Sequence, residues 1–296
     1  MQIKKITPDD KPRVLDISRD IWGGEDYIHE VFDQWVSNPY GLFEGLFYED
    51  RLIAYARMTY ITPTDVWLEG LRKDTKSNFK GIGKIFLDHF LKILSNKKDI
   101  TSVRFSTYFD NKASIKSSEK EGFQRILTCS LKNYELKDKG KHHKSNIITE
   151  DITFKDFVAY IERSDYLRLS NNLLTRGWIF YTPTISFYSK FYLQHNYFAY
   201  VEDRKISGLL LFSNVHYSDS FWISFLEAEN EEIMDALFSA AVMQALRNHK
   251  SVIQILIPDE PILKGWMNKN KFTSWDQEND VILSELPLSK LYKYQK

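Results

Sequence analysis

The sequence predicts an α/β protein made of two mixed-sheet domains, each flanked by helices. Three observations predict it. Residues 42 to 135 run strand, strand, strand, helix, strand, helix, strand when apolar period and turn residues are followed along the chain. Residues 150 to 296 end on the same order, so the second half reads as a copy of the first. Between them Lys137 to Asn146 (KDKGKHHKSN) is polar with no periodic apolar face, which divides the chain into 1–136, a linker over 137–149, and 150–296. A hydrophobic content of 43% supplies two cores at an ordinary 27% charge.

A short strand around Ile3 to Ile6 leads to Thr7, Pro8 and Asp9, an oxygen-bearing cap with proline in the first turn, so a helix is expected from there to about Ile21. Gly23 and Gly24 break it. EDYIHEVFDQWVS then repeats Tyr27, Val31, Phe32 and Trp35 at helical spacing until Asn38, Pro39 and Gly41 end it. LFEGLFY and LIAYARMTY flank Glu49, Asp50 and Arg51 as a hairpin, and VWLEGLRK is a third strand. After a glycine-containing loop, GKIFLDHFLKILSNKK carries Ile85, Phe86, Phe90, Ile93 and Leu94 on one helical face. SVRFSTYF reads as a strand, NKASIKSSEKEGF as a helix closed by Gly122, and QRILTCSLKNYEL as a strand. In the second half YFAYVED and ISGLLLFSN form a hairpin around Arg204 and Lys205. SFWISFLEAE, EEIMDALFSAAVMQALRNHK, SVIQILIP, PILKGWMNKNKF and NDVILSEL follow as strand, helix, strand, short helix and strand.

Lys plus Arg and Asp plus Glu each number 40, so no net field draws the whole molecule to a nucleic acid or an anionic membrane, and neither is expected as a partner. The one cysteine, Cys129, excludes an internal disulfide and a cysteine zinc site. His142 and His143 stand in a lysine-rich stretch and read as solvated loop, so no metal is expected. No secretory apolar segment and no run of about 18 apolar residues is present, which makes the reducing cytoplasm the expected location. Oligomeric state is not legible.

Chemistry enters with KSNFKGIGKIFL. Gly81 and Gly83 stand where an apolar helix begins, directly after a strand, and bare backbone N–H groups at such a turn hold a pyrophosphate, with Lys80 and Lys84 adding charge. Downstream, NKASIKSSEKEGF (Asn111 to Phe123) has the length, leading Asn, central Ala, Ser and Ile, and closing EGF that resemble the fourth-helix motif of the GNAT acetyltransferase superfamily. Residues 1 to about 135 resemble a GNAT domain by element order, most specifically over Leu71 to Gly83 and Asn111 to Phe123. The resemblance implies a GNAT acyl-CoA-binding mixed sheet splayed open between two strands, acetyl-CoA as acyl donor, and N-acetyl transfer to a primary amine. It implies that Leu71, Arg72 and Lys73 hold the pantetheine arm, that Asn78, Phe79, Lys80, Gly81, Ile82, Gly83 and Lys84 form the pyrophosphate loop, and that Asn111 seats the cofactor's far side. The chain departs from the pattern at Asn78 and Phe79, where the superfamily commonly has Arg or Gln and then Gly. It departs again at Ser118, where a tyrosine often protonates the departing thiolate.

An amine is protonated at neutral pH, so its attack needs a base. Glu69 lies in VWLEGLRK on the alternation Trp67, Glu69, Leu71, and resembles the acidic residue that many superfamily members aim at the acetyl group. It is the candidate base; the alternative is a carboxylate paired with a neighbouring Arg or Lys that only shapes the cleft. Ser106 and Tyr108 on the adjacent strand are lesser candidates. Cys129 reads as a packed thiol, which favours direct attack in a ternary complex over an acetyl-cysteine route. GGEDYIHEVFDQW offers the acceptor Glu25, Asp26 and Tyr27, with Glu30, Asp33 and Trp35, a set that suits a cationic amine and equally describes an ordinary amphipathic helix. The segment DISRDIWGGEDYIHEVFDQWVSNP resembles the start of vertebrate histidine N-acetyltransferase-type GNAT proteins, which points to a free amino acid or other small amine.

In the second half ENEEIM stands where a cofactor loop would be, with no glycine and three glutamates, so a degenerate GNAT-like domain and one cofactor per chain are expected. Its aromatic lead-in (Trp178, Phe180, Tyr181, Phe187, Tyr188, Phe191, Tyr192) either lines the acceptor pocket or packs a core. Rival functions are a protein or peptide N-acetyltransferase, a non-catalytic acyl-CoA sensor, which Ser118 favours, and an aminoacyl-tRNA-dependent transferase of tandem GNAT type. Against the last stand Gly81, Gly83 and the zero net charge.

Overall fold

The computed structural model describes residues 1–136, 152–213 and 219–295, so the expected linker over 137–149 lies outside the described residues. The chain forms two compact units, Met1–Ile126 with Leu283–Lys296, and Leu127–Ile282.

The first unit runs β1 (Gln2–Lys5), α1 (Lys11–Ser18), α2 (Ile28–Ser37), β2 (Gly41–Tyr48), β3 (Arg51–Tyr60), β4 (Asp65–Lys73), α3 (Ile82–Ser95), β5 (Ser102–Tyr108) and α4 (Lys112–Lys120). Its strands lie in the order β1-β2-β3-β4-β5, antiparallel except for the parallel β4–β5 pair. Glu49 and Asp50 both take positive φ (48° and 57°), the two-residue turn whose twist suits a hairpin. α1 ends at Ser18, short of the expected Ile21, because Trp22 and Gly23 adopt left-handed φ values of 51° and 71°. Ile28, Val31, Phe32 and Trp35 of α2 pack with Phe43 and Tyr55 on one sheet face; Ile82, Phe86, Phe90 and Leu94 of α3 pack with Ala54, Met58, Val66 and Leu68 on the other.

The second unit contains most of β6 (Gln124–Glu135), then α5 (Phe154–Glu162), α6 (Asp165–Leu169), β7 (Leu174–Arg176), β8 (Ile179–Tyr181), α7 (Ile185–Leu193), β9 (Tyr197–Glu202), β10 (Lys205–Ser213), β11 (Ser220–Ala228), α8 (Glu231–Arg247), β12 (Val252–Ile257), α9 (Pro261–Lys269), β13 (Thr273–Ser274) and the start of β14 (Val281–Glu285). Its sheet order is β6-β12-β11-β10-β9. The copy is visible in detail: Asp203 and Arg204 repeat the positive-φ hairpin turn (47° and 63°), and β11 runs parallel to β12 as β4 does to β5.

These units cut the chain differently from the expected division at 136. β6 pairs antiparallel with β12 from Ser130↔Ile257 to Glu135↔Val252, which carries residues from 127 onward into the second unit. In return the C-terminal residues close the first: Leu286 N–H donates to Val103 C=O at 2.9 Å, α10 (Leu288–Leu291) buries Leu291 in the α3 core, and Tyr294 Oη donates to Glu121 at 2.8 Å. Strand period identifies β6 and β14 as strands but says nothing of which edge each will join. Among the described residues no helix is long and apolar enough to cross a membrane, and no group of three or more His, Cys, Asp or Glu side chains could hold a metal ion.

Candidate active site

The first unit's sheet opens beside β4. β4 and β5 pair over Asp65↔Ser102, Val66↔Val103 and Trp67↔Arg104 and no further, whereas β4 stays on β3 as far as Lys73. Just past the parting, the β3–β4 register shifts between Tyr55 and Arg57, and Gly70 takes φ 68°. This bulge changes the side-chain alternation. Glu69 stays on the α2 face opposite Arg57, while Leu71 turns to α3, its Cδ2 3.4 Å from where a Cβ on Gly83 would lie. The expected set Trp67, Glu69, Leu71 therefore does not share a face. A Cβ on Gly70 would lie 2.6 Å and 2.7 Å from ring carbons of Trp35, in a backbone conformation that side chains disfavour. Gly70→Ala is accordingly expected to lower stability by about 2 kcal/mol or more, measured by urea unfolding. A change below about 0.5 kcal/mol would show that Trp35 moves aside freely.

Glu69 is held from β3. Thr59 Oγ1 donates to Glu69 Oε1 at 2.7 Å, Arg57 Nε donates to Thr59 Oγ1 at 2.7 Å, and Arg57 Nε stands 3.5 Å from the same Glu69 oxygen. Arg57 is 3% exposed, with its guanidinium 4.8 Å from the Trp35 ring centre. Burial pushes the Glu69 carboxyl up, and this outweighs the downward pull of Arg57, the Thr59 hydrogen bond and Arg72. The carboxylate is thus paired, as the alternative reading required, and still sits above its ordinary value.

The expected acceptor residues divide. Asp26 is buried and takes Arg72 Nε at 2.5 Å, besides accepting from Ile28 N–H at 3.1 Å. The Arg72 guanidinium lies 4.4 Å from the Trp22 ring and 5.7 Å from the Tyr27 ring. Burial, first of all, raises the Tyr27 phenol, which also feels the charges of Arg72 and Glu69. Asp26 and Tyr27 therefore gather around the protein's own cation beside Glu69, and Glu25 stays exposed.

The glycine loop has the local structure its sequence calls for. Gly81, with φ 75°, is the N-cap of α3; nothing lies within 4 Å of where its Cβ would be, and Ile85 N–H makes the first helical bond to its carbonyl at 3.1 Å. The N–H groups of Ile82, Gly83 and Lys84 have no acceptor within the helix. Lys73 Nζ fixes the loop through Phe79 C=O at 3.0 Å, and the Phe79 ring packs on Tyr48 at 4.9 Å, which accounts for Phe in a position where glycine is usual. Asn78 and Lys80 are exposed. Lys84 is engaged by Asp88 at 3.0 Å and Glu121 at 2.8 Å, hydrogen bonds that raise its ammonium. The open turn, the unpaired helix-start donors and Lys80 fit a pyrophosphate. Asn111 spends its side chain on local structure, accepting from Ser114 N–H at 3.2 Å as the α4 cap and donating to Thr107 Oγ1 at 3.1 Å. Ser118 is buried and bonded to Ile115 C=O at 2.9 Å.

Asp74 anchors the loop's entry and was not singled out in the sequence. Its carboxylate is contacted by Arg13, by Arg51 at 3.2 Å and by Lys76 N–H at 2.9 Å. Burial pushes this carboxyl up, but the Lys76 amide and the two arginines outweigh it and hold it below its ordinary value. A depressed folded value means a contribution to stability that is complete above the unfolded value near 4 and is lost as pH falls through the folded one. Asp74→Asn should cost about 2 kcal/mol at pH 7, and the difference from wild type should shrink below pH 4 in acid unfolding curves.

The second unit lacks each of these features. Aligning the parallel pairs Trp67↔Arg104 and Trp222↔Gln254 puts Ser224 in the position of Glu69, and Ser224 is fully buried against Ser213 at 3.1 Å. α8 begins on Asn230, which caps Ile233 N–H at 2.9 Å. β11 and β12 part after Ile223↔Ile255, and Tyr166 of α6 enters there: its N–H donates to Glu227 at 2.8 Å, its hydroxyl to Leu256 C=O at 2.7 Å, and its ring meets Phe225 at 5.2 Å. Tyr166 is 2% exposed, so the second gap is filled by the chain itself. Phe187, Tyr188 and Phe191 pack the unit's own core, and Trp178 meets Trp275 at 5.5 Å. Cys129 is buried, which raises its thiol.

The acetyltransferase (GNAT) family profile matches residues 11–123. Among curated proteins no sequence matches the chain. Among solved structures, a GCN5-related N-acetyltransferase from Sphaerobacter thermophilus superposes with TM-score 0.69 at 11% identity, over 96% of this chain and 94% of that one. A tandem GNAT protein from the clavulanic acid biosynthesis pathway superposes with TM-score 0.58 at 11% identity, over 96% and 97%. At such identities the superpositions speak for fold, and the profile match speaks for family. Residues 11–123 therefore form a GNAT acetyltransferase domain, the acyltransferase part of the chain, followed in sequence by a second unit of GNAT-like fold.

Proposed function

We propose that this enzyme acetylates the primary amine of a free amino acid or other small amine by direct attack in a ternary complex, with Glu69 taking the amine's proton. The observation that carries the reading is the half-buried, raised Glu69 carboxylate at the point where β4 leaves β5, in the same unit as the glycine-capped start of α3. Acetyl-CoA, when bound, supplies the acetyl group as a thioester. The N–H groups of Ile82 and Gly83, with Lys80, would hold its pyrophosphate, while the backbone at Leu71 to Lys73 would run beside its pantetheine arm. Free-thiol release from acetyl-CoA, measured against pooled amino acids, polyamines and peptides, tests the acceptor class. Release confined to peptides would replace the small-amine reading.

One observation favours a second reading. Ser118 is buried and bonded within α4, so no tyrosine stands at the usual proton-donor position. A protein that binds acetyl-CoA and releases no thiol with any amine in the panel would be an acyl-CoA sensor.

A further inference from the structure

Resting on Glu69 as the base, we infer that Thr59 is a positioning residue, a hydroxyl relay that fixes which oxygen of the Glu69 carboxylate takes the proton. Thr59 Oγ1 has one proton and gives it to Glu69 Oε1; one of its lone pairs takes the Arg57 Nε proton, so the order of donors along Arg57, Thr59 and Glu69 is set. Arg57 itself is wedged. Its guanidinium lies over Trp35, and a Cβ on Gly41 would be 3.4 Å from both Nε and Nη2. An immobile donor behind Thr59 gives its hydroxyl one orientation. Both contacts, from Thr59 and Arg57, land on Oε1, which leaves Oε2 as the atom that receives the amine's proton.

The charged and titratable groups that face Glu69 are Arg57 of β3, Arg72 of β4 and Tyr27 ahead of α2. Arg104 of β5 is engaged by Glu285. None of these is removed when Thr59 is changed, so a shift in Glu69 titration on changing Thr59 reports the hydroxyl. A hydrogen bond donated to the carboxylate favours its ionised form, so losing the bond must raise the carboxyl further.

Thr59→Val, nearly the same shape without the hydroxyl, is expected to move the acid limb of kcat/KM up by about one pH unit, so that activity falls by up to about tenfold on that limb and recovers on the alkaline plateau. Thr59→Ser is expected to restore the wild-type limb. An unmoved limb in Thr59→Val, or a Thr59→Ser limb that follows the valine variant, overturns the relay. The carboxyl titration of Glu69, followed by carbon-13 NMR in the ligand-free full chain, makes the same comparison without turnover: a value raised by about one unit in Thr59→Val supports the relay and an unchanged value overturns it. That readout keeps this inference separate from the base assignment, which fails on its own if Glu69→Gln remains active.

Discussion

Glu69→Gln is expected to lower kcat/KM for amine acetylation by about 10²-fold or more at pH 7, within the range that a positioned general base contributes. The amide keeps the shape of the side chain and can still accept from Thr59, but it cannot take a proton. The pH profile separates this loss from a packing defect. A base works when deprotonated, so wild-type activity rises with pH through the Glu69 value, which burial places above the ordinary carboxylate range. That limb should vanish in the variant. Stability should carry the opposite sign: between the ordinary and the raised value the native state binds more protons than the unfolded chain, so wild-type stability falls as pH rises through that window, and Glu69→Gln should flatten the slope. A loss below about tenfold, or a retained acid limb, would take the base role from Glu69.

What the sequence revealed was local. Gly81 needs a left-handed φ where the helix starts, Asn111 caps α4, and Gly23 breaks the first helical stretch; each leaves its mark in the residue that adopts the conformation. Glu69 was legible because a carboxylate amid strand residues such as Trp67 and Leu68 demands a reason. Its partners were not. Arg57 and Thr59 meet Glu69 through the β3–β4 register, which runs only as far as the bulge beside Gly70, where the Trp35 ring of α2 stands against the strand. Where the compact units divide was hidden for a similar reason, since β6 reads as a strand whichever sheet edge it joins, and it joins β12. Tyr166 looks like any core aromatic until the parting of β11 from β12 shows what it fills.

Calorimetric titration of the full chain with acetyl-CoA is expected to give one site, and Gly81→Val to weaken it about hundredfold, or about 2.7 kcal/mol. The substitution meets no side chain, because nothing lies within 4 Å of where the new Cβ would be, so the variant should still fold, with a loss of stability limited to the strain at this one residue. Its cost falls on the turn. A β-branched residue resists φ 75°, and its methyl groups project into the open space beside the helix-start N–H groups that would receive the pyrophosphate. The second unit cannot compensate: α8 starts on an asparagine whose side chain caps Ile233 N–H, followed by Glu231 and Glu232, whose charges repel phosphate, and Tyr166 occupies the gap between its parted strands. Two sites in the wild-type chain would show that Tyr166 swings out and that the second unit binds as well. Unchanged affinity in Gly81→Val would place the pyrophosphate somewhere other than the start of α3.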